Sequence, residues 1–202
     1  MTASGRPPAR PAPTGMTDEN QGEPMLLGRP APDFRMLTTK DLNTLDHEAR
    51  LADYHGRWLV LFFYPADFTF VCPTEVRAFS DAVTAFAERN ADVLGVSTDG
   101  IFSHVAWMEF HIGQLAFPLA SDRTQQVSRD YGVLDDEGQS ARAVFVIDPE
   151  GTVRHEVIHD DRVGRSVDEI LRVLAALQSP GRTFATYTSP EMAGTASLAA
   201  TG

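Results

Sequence analysis

Cysteine is almost absent: Cys72 is the single one in 202 residues. No internal disulfide can form, and no disulfide-stapled secretory scaffold is implied. Basic residues are scarce, 17 Lys and Arg against 28 Asp and Glu, for a net charge of −11. Nucleic acid and anionic membrane surfaces both demand positive protein surface, so neither is expected as a partner. No apolar run approaches the ~20 residues that span a bilayer. Arg6 and Arg10 have no apolar stretch behind them, and Pro7, Pro8, Pro11 and Pro13 forbid the amphipathic helix of a transit peptide. A cytoplasmic protein is expected. Metal ligands are sparse too. His155 and His159 share a strand face, and His104 and His111 lie two helical turns apart. One cysteine with scattered histidines makes no ligand cluster, so no metal is expected. No phosphate loop or dinucleotide fingerprint is present, and no cofactor is expected.

What is present is a chain of globular composition, 43% hydrophobic and 22% charged. Residues 1–24 are rich in Pro, Gly, Ala and Thr and are expected to be a disordered tail. Residues 25–178 form the folded domain, and residues 179–202 a partly disordered second tail. Within the domain the pattern alternates strand and helix. Trp58–Tyr64, "WLVLFFY", is an unbroken apolar run of strand length, as suits a central strand covered on both faces. Pro73 to Asn90 places Val76, Phe79, Val83 and Phe86 on one helical face. Ala91–Thr98 reads as a strand, and 101–112 and 124–131 as helices. Arg142–Asp148 and Thr152–Asp160 are strands joined by a turn at Pro149–Gly151. Residues 166–178 make a closing helix with Ser166 as cap. The fold class is therefore α/β, a mixed central sheet with helices on both faces.

The lone cysteine sits between a strand and a helix. Proline is favoured at the first helical position, so Pro73 there makes Cys72 the cap and Glu75 the third helical residue. The positive end of the helix dipole at that point favours thiolate over thiol. The thiolate is the nucleophile, so the placement suits a reactive cysteine. Buried free cysteines also serve as small hydrophobes, and the local pattern admits both readings.

The wider motif narrows them. "PADFTFVC", Pro65–Cys72, has a proline, three residues, a threonine, two residues and the cysteine. It resembles the peroxiredoxin active-site motif. The fuller "FFYPADFTFVCPTE" is similar to the branch that holds the alkyl hydroperoxide reductase C-subunit and the typical two-cysteine enzymes. "SRDYGVLDDEG" at 128–138, "RAVFVIDPEG" at 142–151 and "VGRSVDEILRVLAALQ" at 163–178 resemble the same family in the same order.

The resemblance implies a thioredoxin-like fold with peroxiredoxin additions and a thiol-dependent peroxidase. It implies Cys72 as the peroxidatic cysteine, Thr69 as donor or relay of a hydrogen bond to the peroxide, and Pro65 as a shield. Arg142 is implied as the cation holding sulfur and peroxide oxygens. Glu75 and Arg154 are implied as the pair that orients Arg142, with Tyr64 packed beside the site, its hydroxyl bonded. A homodimer paired through strand 152–160, and a ring of such dimers, are the implied assemblies.

The chain departs from the branch in one respect. No resolving cysteine follows the domain, and Ser189-Pro190 stands in the corresponding region. A one-cysteine route is expected, in which an external thiol (thioredoxin, glutaredoxin or a low-molecular-weight thiol) reduces the sulfenic acid formed with hydrogen peroxide or an organic hydroperoxide. The alternative is a redox sensor or holdase chaperone on the same scaffold, since a sulfenic acid that is not recycled persists or climbs to sulfinic acid.

Overall fold

The computed structural model describes residues 25–69 and 72–179. The expectations for the two tails, and for Ser189, fall outside these residues. Among the described residues seven strands form one sheet: β1 Arg35–Thr38, β2 Glu48–Arg50, β3 Trp58–Phe63, β4 Ala91–Ser97, β5 Leu119–Ser121, β6 Arg142–Ile147 and β7 Val153–His159. Their order is β2-β1-β5-β4-β3-β6-β7. β3 runs parallel to β4 and antiparallel to β6, so the sheet is mixed. The helices are α1 Cys72–Asp81, α2 Val83–Ala87, α3 Ile101–Trp107, α4 Gln126–Asp130 and α5 Val167–Leu177.

Strand alternation builds two cores from one sheet. Val60, Phe62 and Tyr64 of the β3 run pack with Val144 and Val146 under Val76, Phe79, Phe86, Trp107, Ile170 and Leu174, from α1, α2, α3 and α5. Leu59, Leu61 and Phe63 face the other way, with Phe145, Ile147 and Val127 of α4. Both faces of β3 are dry, which is why its sequence is an unbroken apolar run. In β4, Gly95 leaves room for the opposing core: a Cβ there would lie 2.8 Å from Phe62 and from Leu119.

Four strand expectations hold to within a residue at each end. β1, β2 and β5 were not anticipated, because three or four residues are too few to show a period. The long helix expected over 73–90 is interrupted at Ala82 (φ −93°, ψ 0°), before the β-branched Val83 and Thr84. The helix expected over 101–112 is α3 continued by a π-helical turn, Met108–Ile112. Ser166 caps α5 as expected, its hydroxyl accepting from the Glu169 N–H at 3.3 Å.

Candidate active site

β3 ends at Phe63, and the chain then runs through Tyr64, Pro65, Ala66, Asp67, Phe68 and Thr69 toward α1. Among the described residues α1 runs from Cys72, so the cysteine lies within the helix and not at the cap before it, with Pro73 next in the helix. The thiol still lies in the first turn, where helical N–H groups lack intrahelical partners. The side chain is buried, with no exposed surface.

Arg142 opens β6, whose antiparallel pairing with β3 brings it back to the end where the cysteine loop leaves the sheet. It is 4% exposed. Its Nη1 donates to Cys72 Sγ at 3.3 Å and to Glu75 Oε2 at 2.5 Å, and its Nε donates to the Asp161 carbonyl at 2.8 Å. Burial works against its charge, but the hydrogen bond and charge of Cys72, with the charge of Glu75, outweigh it and raise the Arg142 pKa. A cation fixed from three sides therefore touches the sulfur.

Glu75 stands three residues into α1, so its side chain returns to the same end. Its second arginine is Arg165, not Arg154. Arg165 gives Glu75 Oε1 its backbone N–H at 2.7 Å and its Nε at 2.9 Å, and gives Oε2 its Nη2 at 3.1 Å. Arg165 Nη1 also donates to the Phe63 and Ala143 carbonyls, and the guanidinium lies 5.6 Å from the Phe62 ring centroid. Burial pushes the Glu75 carboxyl up, but the Arg165 hydrogen bonds and charge and then Arg142 hold it below its ordinary value. Arg154 is at an outward position of β7. Its side chain is 52% exposed and lies 3.6 Å from Asp148. The signal that could have found Arg165 was in the quoted "VGRS" stretch: an arginine immediately before a helix cap.

The Thr69 hydroxyl donates to the Ala66 carbonyl at 3.1 Å. With its one hydrogen given to the loop, its lone pairs remain to accept, so direct donation to a peroxide is not what this geometry provides. Pro65 is buried. Tyr64 is fully buried, and its hydroxyl donates to Asp67 Oδ1 at 2.9 Å. Burial first, and then the Asp67 carboxylate, raise the phenol well above its ordinary value, so it stays a donor. Asp67 also meets the buried His104 on α3. Neither residue was singled out as part of the site, although an acid inside "FFYPADFTF" and a histidine on the apolar face shared by Ile101 and Trp107 are both unusual placements.

The model of the AhpC/TSA family matches residues 27–156. Peroxiredoxin tpx1 of Schizosaccharomyces pombe is 51% identical over 160 residues, 76% of this chain and 82% of that protein. The mitochondrial thioredoxin-dependent peroxide reductase of Drosophila melanogaster is 52% identical over 156 residues, 74% of this chain and 66% of that one. Among solved structures, Mycobacterium tuberculosis AhpC superposes with a TM-score of 0.72 at 36% identity, covering 79% of this chain and 96% of that one.

Proposed function

The chain belongs to the AhpC/TSA family, and we propose that, as a thiol-dependent peroxidase, it reduces hydrogen peroxide or organic hydroperoxides through Cys72 alone. The sulfur attacks one peroxide oxygen: an S–O bond forms, the O–O bond breaks, and the departing oxygen leaves as an anion that takes a proton. Cys72 becomes a sulfenic acid. Negative charge passes from sulfur to the departing oxygen, so a cation that touches both is worth most in the transition state. The observation that carries the reading is Arg142 Nη1 at 3.3 Å from the sulfur of the single cysteine. Thr69 accepts from the peroxide O–H, Pro65 covers the site, and Glu75 with Arg165 holds Arg142.

Recycling uses an external thiol. It condenses with the sulfenic acid, releasing water and leaving a mixed disulfide, and a second thiol releases Cys72. A thioredoxin-class reductant is supported by the name of the Drosophila relative. Homodimer formation through β7 is supported by the place of that strand at the sheet edge and by Ile158, which is 54% exposed. No helix among the described residues is long and apolar enough to cross a membrane, and the cytoplasmic location stays a proposal for fractionation to test.

The test is intact mass spectrometry with turnover. One equivalent of hydrogen peroxide should add one oxygen at Cys72, added thiol should return the original mass, and Cys72→Ser should take up none. Multiple turnovers with thiol support the peroxidase; a single oxidation that thiol cannot reverse overturns recycling and leaves the sensor reading.

A further inference from the structure

The loop that leads to the cysteine carries a set of buried polar groups that the peroxide chemistry leaves without a role. Asp67 lies midway between Pro65 and Thr69 in the loop leading to the cysteine and is 6% exposed. Its carboxylate accepts from the Tyr64 hydroxyl at 2.9 Å and meets His104 Nδ1 at 2.9 Å. The other ring nitrogen, His104 Nε2, faces the Ala120 carbonyl of β5 at 3.3 Å. The Tyr64 hydroxyl also lies 3.4 Å from His104 Nδ1. The Asp67 N–H donates to Asp99 Oδ2 at 2.9 Å, and that oxygen also accepts from the Ser97 hydroxyl at 2.8 Å. Groups at the end of β3, after β4 and on α3 thus converge on one loop residue, and β5 backs the histidine.

A buried carboxylate is tolerated only while its partners are in place, so this arrangement fixes the loop in one position. The neighbours of Asp67 depend on it. Phe68 holds a left-handed φ of 58°, unusual for a bulky residue, and its half-exposed ring stands edge-on to His111 at 4.8 Å. The Thr69 hydroxyl is turned back onto Ala66, the residue on the other side of Asp67.

We infer that Asp67 and His104 are positioning residues for the peroxide step, acting through the loop that carries Thr69. The inference rests on the peroxidase reading of Cys72 and extends it to the second half of the cycle. Cys72 is fully buried, so an external thiol reaches its sulfur only when the surrounding chain shifts. An anchor that holds the loop for peroxide therefore resists the thiol. Loosening it slows the first step without slowing the second.

Stopped-flow oxidation of reduced protein by hydrogen peroxide, and reduction of the preformed sulfenic acid by dithiothreitol, measure the two steps separately. Asp67→Asn and His104→Leu should slow oxidation roughly 10- to 100-fold, as expected when a reacting group is displaced by a fraction of an ångström, and should leave reduction equal or faster. His104→Gln, which can still donate to Asp67, should recover part of the oxidation rate. If His104→Leu fails to fold, Asp67→Asn and Tyr64→Phe carry the measurement. Variants within twofold of wild type in oxidation, or slowed equally in both steps, overturn the inference. Wild-type protein that does not react with peroxide would instead overturn the peroxidase reading itself.

Discussion

Two buried carboxylates flank Cys72, and they are gripped differently. Glu75 takes four N–H donors from two arginines, and one of those arginines also touches the sulfur. Asp67, in the loop before the cysteine, is held by Tyr64 at the end of β3 and by His104 of α3. On the proposed mechanism the arginine side supplies charge where charge changes during the reaction, and the Tyr64–Asp67–His104 side supplies position. Reactivity and geometry would then be divided between two networks, one on the helix that carries Cys72 and one on the loop before it.

The arginine side should break most severely. Arg165 has a side chain 1% exposed and Glu75 one 5% exposed. Arg165→Leu strips a buried carboxylate of two of its four donors and of a neighbouring charge, and should cost about 3–5 kcal/mol of stability, read by urea unfolding. A loss below about 1 kcal/mol would mean that Arg142 and the backbone N–H of residue 165 suffice for Glu75.

Arg142→Lys tests the charge against the geometry of the donor. Lysine keeps the charge but lacks the planar fork that reaches sulfur, Glu75 and the Asp161 carbonyl together. Oxidation of Cys72 by peroxide should fall roughly 10²–10³-fold with the fold intact. A variant as fast as wild type would show that charge without the fork suffices.

A pH series sharpens the contrast at lower amplitude. The folded Glu75 carboxyl titrates below its ordinary value of 4.5. Its contribution to stability is therefore complete above that value and is lost as the pH falls through the lower folded one. Wild-type unfolding stability should decline more steeply across that acid range than that of Glu75→Gln. Parallel profiles would remove Glu75 as the source.

The smallest effect is expected at Arg154, the residue the sequence resemblance had paired with Glu75. Arg154→Leu should stay within about 0.5 kcal/mol of wild type, with an unchanged rate of oxidation, because its side chain is 52% exposed and meets Asp148 only at 3.6 Å. A loss of activity there would return Arg154 to the site.

The sequence by itself determined the central strands, the closing helix and the end of the sheet where the candidate site lies. β3, β4, β6 and α5 were legible because each is long enough to show its period, and β3 and β6 are covered on both faces. Cys72, Thr69 and Pro65 were legible because a short motif holds them within one loop, and Arg142 because it opens a strand that is otherwise apolar. The tertiary structure alone decided which arginine meets Glu75. Arg154 and Arg165 both follow β6 in the chain, and only strand pairing turns the first outward while the chain after β7 brings the second, 90 residues from Glu75, into contact. The anchor at Asp67 was hidden for the same reason. His104 lies 37 residues beyond it, and no local period reports that two polar groups will share a dry space. Periodicity records which face of an element is buried; the choice of polar partner is made only when the sheet brings those faces together.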